Sequence, residues 1–286
     1  MVTKDELQEG MALLAQPVLP LVSMVQFLYL TGDFATVEEV IAEMPPDIET
    51  GYATYADPVS VLMPYADLLQ PLVAFKTGEP PAITVVDAEN NPLDPMSATT
   101  ALIAQNVLTR ELEPVNSLLC APCHCTLCCV GPDANMQQDY FEIPLQPGEA
   151  AHFSLEQIDT AASRSQRIDA EPPLQVNGQD FYLRTDPALI HWQSGWSLVL
   201  PKASRCPNQA QSGRCLIYPD RPEVCRRPQI FAYMLEPLNQ GESKGYRLRQ
   251  SLLAVVDCPY VQVLQDEISA YAAACELEMF FRQNKA

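Results

Sequence analysis

Five cysteines within ten residues are the feature that most constrains how this chain can fold. The stretch reads CAPCHCTLCC, and its thiols lie at Cys120, Cys123, Cys125, Cys128 and Cys129. A chain of 286 residues, of which 48% are hydrophobic, can bury a core without cross-links or bound metal. So dense a group of thiols therefore needs an explanation other than stabilising the core.

Five further cysteines follow later in the chain, and their surroundings separate four of them from the fifth. Cys275 lies among alanines in a helical sequence, which is typical of an inert core residue. The other four lie beside proline or arginine in turn-like sequence, at Cys206, Cys215, Cys225 and Cys258. Spacings of two residues, as in the first stretch, let neighbouring thiolates bind one ion or cluster.

Disulfides are the main alternative to metal ligation. The chain opens with acidic residues where a secretory leader would be basic, so we expect a cytoplasmic protein, and disulfides are rare in that reducing compartment. A bond between the adjacent Cys128 and Cys129 would also close a strained ring. We therefore predict nine metal ligands: Cys120, Cys123, Cys125, Cys128, Cys129, Cys206, Cys215, Cys225 and Cys258.

Six of the 17 basic residues lie near the later cysteines, within residues 202–227. Nearby cations lower the pKa of thiols and balance the negative charge of several thiolates. A solvated basic loop would explain any one of the six, but their clustering favours a thiolate site. They are Lys202, Arg205, Arg214, Arg221, Arg226 and Arg227.

The later cysteines also form a recognisable pattern. Cys206-Pro207 and Cys258-Pro259 are C-P pairs, and residues 215–226 between them read CLIYPDRPEVCR. On these motifs the chain resembles the YkgJ-type cysteine-cluster family, a zinc- or iron-chelating CxxCxxCC domain. The family pattern runs C-x2-C-x2-C-C, C-P, C-x-I-Y-x-x-R-P-x-x-C-R and C-P, so the resemblance covers about residues 120–260 and leaves out the front of the chain.

The first element departs from that pattern. Counting back from the CC pair puts Cys125 at the second ligand position but Pro122 at the first. Either Cys120 or Cys123 replaces the missing ligand, or both bind together with the CC pair while Cys125 is spare. His124, in the same loop, is either a further ligand or a turn residue.

Eight thiolates would divide into two tetrahedral sites, each holding a zinc ion or a [4Fe-4S] cluster. The wide gaps between the later cysteines favour the larger iron–sulfur cluster, so we expect one or two such clusters, with zinc as the alternative. We also predict that Tyr218, Arg221 and Arg226 surround the cofactor and donate hydrogen bonds to its sulfur atoms. The other interpretation is that Tyr218 and Arg221 only pack the turn.

Three functions are compatible with such a site. The first is an iron–sulfur protein with a redox, electron-transfer or iron- or oxygen-sensing role. The second is a structural zinc module in an interaction protein. The third is a cluster-assisted enzyme, since the resemblance extends to flagellin lysine methylases, which share the cysteine motif. The sequence contains no G-x-S-x-G, P-loop or H-E-x-x-H motif, so enzymatic activity has the weaker support.

The charge of the chain is strongly asymmetric. The net charge is −19, and residues 1–150 hold three basic groups against 21 acidic ones. This argues against binding nucleic acid or anionic lipid, and it leaves either no partner or a basic protein that docks on the acidic half. The apolar stretch Met11–Leu30 contains two prolines, which favours a buried, broken helix over a membrane span.

The predicted fold class is α+β, mostly α. We expect an acidic helical domain at 1–115 and a smaller cysteine-cluster α+β domain at 116–286. The first would contain a helical hairpin over 5–44 that Pro45-Pro46 ends, and the second would mix strands and helices. Further predicted elements are helices at 59–76 and 97–119, a strand at 83–86, a helix starting near Ser154, strands at DFYLRT and WSLVLP, and a helix at 261–282.

Overall fold

The computed structural model describes residues 2–78, 83–123, 127–211, 214–226, 229–240 and 243–283. The helices are α1 (Gln8–Leu14), α2 (Leu19–Thr31), α3 (Val37–Ala42), α4 (Pro58–Leu62), α5 (Val73–Lys76), α6 (Pro95–Cys123), α7 (Ala161–Ser165), α8 (Pro259–Val263) and α9 (Gln265–Ala274). The strands are β1 (Asp47–Glu49), β2 (Thr54–Ala56), β3 (Thr84–Val86), β4 (Tyr140–Pro144), β5 (Gln157–Ile158), β6 (Gln175–Val176), β7 (Gln179–Asp180), β8 (Ala188–Trp192), β9 (Gly195–Pro201), β10 (Ile230–Gln240), β11 (Ser243–Val255) and β12 (Glu278–Arg282).

Contacts divide the chain into two compact units. Unit 1 comprises residues 1–122 and 229–284, and unit 2 comprises residues 123–228. With 43% helix and 23% strand, the structure confirms a mixed α+β fold with a helical N-terminal part. These two units rest only on which residues contact one another. The domains 1–115 and 116–286 therefore stay a prediction.

The region of the predicted helical hairpin, residues 5–44, holds three helices, of which α2 and α3 pack together while α1 packs against α9. The ends of these helices follow from local chemistry. The α3 helix begins with a capping box, in which Glu39 N–H donates to Thr36 Oγ1 at 3.2 Å and Thr36 N–H donates back to the Glu39 carboxylate at 3.4 Å. These bonds satisfy amide groups that a helix leaves without intrahelical partners. The α3 helix ends at Ala42, shortly before the proline pair.

Helix α6 is the long central helix of unit 1. Asp94 caps it by accepting the backbone N–H groups of Met96 and Ser97 at 2.9 and 3.0 Å, and Pro95 occupies the first helical position, where a missing N–H is harmless. The helix buries a stripe of side chains: Ala98, Ile103, Val107, Leu108, Leu112, Val115 and Leu119. A side chain at Gly10 would overlap the buried Leu119, so α1 approaches α6 closely only because residue 10 is glycine.

A sheet in unit 1 has the order β10-β11-β12, and β3 also pairs with β11. The edge of β10 is hydrogen-bonded to side chains of α6. The Asn116 amide donates to Ile230 O at 2.7 Å and accepts Ile230 N–H at 3.1 Å, while Gln105 Oε1 accepts Met234 N–H at 2.9 Å. Two helix side chains thus replace a neighbouring strand.

Unit 2 is built on a sheet of order β4-β9-β8-β5. Alternation along β8 and β9 gives the sheet two apolar faces. One face contains Ile190, Trp192 and Val199. The other contains Leu189, Leu198 and Leu200, and the half-buried Cys206 and Ile217 pack against it. The sheet therefore supports the turns that carry the later cysteines.

Several predictions of helices and strands are wrong, either in where the element ends or in its type. No helix begins at Ser154, because this region forms β5 and the five-residue α7. Phe181–Leu183 is a 3-10 turn rather than a strand. The predicted helix over 261–282 ends at Ala274, and the remainder is β12, which pairs with β11. The long hairpin β10–β11 was not predicted.

Two helical stretches of unit 1 are long and apolar enough to cross a membrane, judged by length and composition alone. They are Lys4–Thr31 and Pro58–Lys76, and 39% and 33% of their most apolar windows are buried. Core helices of water-soluble proteins and leader sequences pass the same test. The absence of a membrane span therefore stays a prediction.

Candidate metal centre

The first cysteine stretch begins on helix α6 and continues past its end. Cys120 and Cys123 lie three residues apart in the last turn of α6, both half-buried, and this spacing places them on one helix face. The 3-10 turn Leu127–Cys129 then carries the paired cysteines, of which Cys128 is exposed. His124 and the predicted ligand Cys125 lie outside the described residues.

The end of this stretch is hydrogen-bonded to the first of the later cysteines. Cys206 N–H donates to the carbonyl oxygen of Cys129 at 2.7 Å, and Val130 forms an antiparallel bridge with Arg205. Gly131 follows at once, and a Cβ there would overlap the carbonyl oxygen of Pro201. The sequence CCVG thus allows the two segments to approach, and it brings Cys129 beside Cys206 within unit 2.

Cys206, Cys215 and Cys225 come from three different turns of unit 2, and all three are half-buried. The turn after Cys206 pairs with the Cys215 turn, because Asn208 O accepts Leu216 N–H at 2.8 Å and Gln209 bridges to Cys215. Cys215 lies close enough to raise the pKa of both Cys206 and Cys225, and Cys206 lies close enough to raise that of Cys225. The structure thus gathers thiols that are up to 19 residues apart in the chain.

Burial is the main influence on the pKa values of Cys206 and Cys225. It raises the pKa of Cys225 to about 12, with further contributions in the same direction from the neighbouring Cys206 and Cys215. The pKa of Cys206 is also raised, first by burial, although the N–H of Asn208 donates to its sulfur and opposes the shift. Neighbouring thiols that resist ionisation become thiolates when a metal cation supplies the balancing charge.

The predicted cofactor neighbours build the turn around Cys225. The Arg221 guanidinium is buried and stacks over the Tyr218 ring, 3.8 Å from its centroid, and Arg221 donates to Tyr218 O at 3.1 Å and to Cys225 O at 3.4 Å. Arg226 donates to Arg221 O at 2.9 Å. These contacts agree with the interpretation that Tyr218 and Arg221 pack the turn, and hydrogen bonding to cofactor sulfur stays a prediction.

Three cysteines lie in unit 1, and they are described apart from those of unit 2. Cys120 is half-buried on α6, and Cys258 is buried at the start of α8, where proline follows it. Cys275 is buried at the end of α9, where burial and then the charge of Glu111 raise its pKa. These surroundings fit the expectation that Cys275 is a core residue.

The chemistry of the donors in unit 2 fits a soft, thiolate-binding metal centre. Among the residues that the structure describes, no three Cys, His, Asp or Glu side chains lie close enough to hold one ion as they stand. The ligand set stays a prediction. Within unit 2, a backbone hydrogen bond joins Cys129 to Cys206, and Cys206, Cys215 and Cys225 lie near one another.

Asn208 is a residue of this centre that the motif search missed. Its N–H lowers the pKa of the Cys206 thiol, and its carbonyl joins the Cys215 turn. The only sequence signal was its place two residues after Cys206 and directly after Pro207.

Comparison with family models finds a match over the cysteine-rich part of the chain. Residues 119–246 match the CxxCxxCC family, described as a "putative zinc- or iron-chelating domain". The match includes eight of the nine predicted ligands, all except Cys258, and it confirms the resemblance inferred from the motifs. Searches of curated proteins and of solved structures find no match.

Proposed function

We propose that this chain holds an iron–sulfur cluster and serves a redox or regulatory role, because residues 119–246 match the CxxCxxCC family of zinc- or iron-chelating domains, which supports metal binding. Such a cluster supplies one-electron transfer, or a response to oxygen or iron, when it is bound. The nine predicted cysteines would supply its ligands. The reducing cytoplasm would be the compartment that keeps them as thiols.

The gathering of Cys206, Cys215 and Cys225 carries this proposal. Burial and the neighbouring thiols raise the pKa of Cys225 to about 12, and burial also raises that of Cys206, so their ionisation is unfavourable unless a cation lies beside them. The three also belong to three separate turns with wide spacing, rather than to paired knuckles of the kind that zinc favours. A larger cluster suits that arrangement.

The surrounding residues would tune such a cluster. The N–H of Asn208 points at the sulfur of Cys206, and a hydrogen bond to a ligating sulfur stabilises its negative charge and so raises the reduction potential. Arg221 and Arg226 hold the Cys225 turn and add positive charge beside it. We expect these groups to favour the reduced form of the cluster.

The acidic front of the chain would provide the docking surface for a basic protein partner. Residues 1–150 carry 21 acidic groups and three basic ones. A field of one sign speeds encounter with an oppositely charged protein and weakens as salt rises. An electron-transfer protein needs such a brief, salt-sensitive encounter, and this is how the charge asymmetry supports the redox role.

The test is to purify the full chain without oxygen, record its visible absorption, and measure iron, acid-labile sulfide and zinc. A brown protein with broad visible absorption, and with iron matched by sulfide, supports the proposal. Colourless protein with one or two zinc ions per chain would replace it with the structural zinc module.

Cysteine variants test the ligand assignment separately. We expect Cys215→Ser and Cys225→Ser each to lower the bound metal at least severalfold, because a neutral hydroxyl is a poor ligand where a thiolate is required. Cys275→Ser, a matched change in unit 1, should leave the metal content within error of the wild type. Full metal content in both of the first two variants would overturn the assignment.

A further inference from the structure

A short turn outside the cysteine motifs makes contact with two of the turns that carry the later cysteines. The sequence QPGE at 146–149 forms a β-turn in which Glu149 N–H donates to Gln146 O at 3.0 Å. Gly148 occupies its third position with φ 92° and ψ −22°, values that favour glycine and that define a type II turn with proline before it. The 3-10 turn Glu149–His152 follows directly.

The Glu149 carboxylate joins this turn to the Cys225 turn. Its Oε2 accepts Gln146 N–H at 2.7 Å, which fixes the side chain on its own turn, and its Oε1 accepts Glu223 N–H at 2.8 Å. Glu223 is the first residue of the 3-10 turn Glu223–Arg226, and the first N–H groups of a helical turn lack partners within it. Glu149 therefore caps the turn that carries Cys225, from 74 residues earlier in the chain.

Asn208 joins the end of the 3-10 turn Glu149–His152 to the turns that carry Cys206 and Cys215. Its side-chain amide donates to His152 O at 3.0 Å, its N–H points at the sulfur of Cys206, and its carbonyl accepts Leu216 N–H next to Cys215. The turn is itself anchored, because the following residue, Phe153, is buried against Leu198 and Leu200 of the sheet. Residues 146–153 thus connect the sheet to all three cysteine turns.

We propose that Glu149 and Asn208 are positioning residues, which hold the three later cysteine turns of unit 2 in one place for metal binding. Neither side chain belongs to the cysteine motifs, and neither needs to touch the metal. This inference rests on the proposed metal-binding function. Partners that orient ligands typically change metal affinity by about 10- to 100-fold when they are removed.

The first measurement uses the metal-free full-length protein. In Glu149→Ala, hydrogen exchange of the peptide covering residues 221–226 should quicken at least about tenfold, because the cap on Glu223 N–H is lost. Exchange in β8 and β9 should stay at the wild-type rate, which shows that the unit remains folded. Glu149→Gln keeps the size of the side chain but has only one accepting oxygen. Its exchange rate at residues 221–226 should lie between those of Glu149→Ala and the wild type.

The second measurement is titration of the metal-free variants with Zn²⁺ against a chromophoric chelator. Glu149→Ala should bind about 10- to 100-fold more weakly than the wild type, and Asn208→Ala should also bind more weakly. The matched control is Glu171→Gln, which removes a charge from an exposed position of unit 2 and should change neither measurement.

The outcomes separate this inference from the function on which it rests. If Glu149→Ala keeps both the wild-type exchange rate at 221–226 and the wild-type affinity for Zn²⁺, the positioning role is overturned. Faster exchange in the variant, combined with a wild-type protein that binds neither zinc nor a cluster, would overturn the metal function while supporting the role of Glu149 in holding the Cys225 turn.

Discussion

Glu111 places a carboxyl group inside unit 1, where only 4% of the residue is exposed. Its Oε1 accepts the N–H of Val18, at the start of α2, at 2.9 Å. Its Oε2 lies beside the Tyr271 hydroxyl without reaching hydrogen-bond geometry. Burial raises the pKa of this carboxyl from 4.5 to about 7, and the Val18 N–H opposes that shift. The neutral acid is therefore the form that the fold favours.

This burial makes the stability of the protein depend on pH. Because the folded-state pKa is raised, the contribution of Glu111 is full below about pH 4.5, is lost as the pH rises to about 7, and stays lost above it. The loss amounts to about 3 kcal/mol in the free energy of unfolding. Denaturant unfolding of wild type and Glu111→Gln across pH 4.5–8 should show that only the wild type has this fall.

The control for this prediction is Glu43→Gln, which changes an exposed carboxylate of the same unit and should keep the wild-type pH profile. If the free energies of unfolding of Glu111→Gln and wild type ran parallel across the whole range, the buried carboxyl would have no role in the pH dependence.

At the scale of residues, the sequence identified candidate site residues where cysteines and their neighbours recur at short spacing. The block CLIYPDRPEVCR identified the Cys215 and Cys225 turns, and its arginine and tyrosine do pack together. Glu149 and Asn208 could not be found in this way, because their role depends on contacts between segments that are 74 and 56 residues apart. No local pattern distinguishes these residues from other polar residues in turns.

At the scale of elements, the contact between α6 and β10 joins two segments of unit 1 that are more than 100 residues apart in the chain. Asn116 is 1% exposed. Besides Ile230, it accepts the Tyr260 hydroxyl at 2.7 Å and donates to Leu112 O at 2.8 Å. One amide thus satisfies polar groups on a helix, on a strand and on α8.

Replacing this amide should be costly. Asn116→Leu keeps a similar volume but leaves Ile230 N–H and Ile230 O buried without this partner, and it removes one acceptor from the Tyr260 hydroxyl. Each of the two unsatisfied backbone groups costs about 1–3 kcal/mol, so we expect the free energy of unfolding to fall by roughly 2 kcal/mol or more. Asn106→Leu, at an exposed position of the same helix, should change it by less than about 0.5 kcal/mol. An equal change in the free energy of unfolding in the two variants would refute the role of Asn116.

The end of α3 and the start of α6 were predictable, because prolines and caps act locally. The strands near the C-terminus were not. Pro237 lies within β10 and Gly245 within β11, and both residues weaken a strand pattern. The apolar residues of β12 follow α9 closely and are equally compatible with a longer helix. Their strand conformation comes from parallel pairing with β11, which is a tertiary interaction.

At the scale of the whole molecule, the two units differ in what holds them together. Unit 1 contains the long helix α6 and the hairpin β10–β11, whereas unit 2 relies on short strands, several of them of two residues, and on 3-10 turns. A unit with so little regular structure gains a larger share of its stability from a bound metal.

We therefore expect metal removal to act on one unit. Treating the purified holoprotein with a chelator should quicken hydrogen exchange across residues 127–226, with the largest change around Cys206, Cys215 and Cys225. A metal present at 1,000 times its dissociation constant contributes about 4 kcal/mol to stability. Exchange in α2 and in the buried half of α6 should stay unchanged. Equal acceleration in both units would show that the metal stabilises the whole chain rather than unit 2.

The hydrogen bonds between Asn116 and Ile230 join residues that are 114 positions apart, and unit 2 is the segment between them. While unit 1 stays folded, an opened unit 2 is a closed loop with both ends tethered, so it loses less order than an untethered chain would. Its thiols then stay at a high effective concentration for one another. After loss of metal, we therefore expect the thiols of unit 2 to rebind metal without refolding of unit 1.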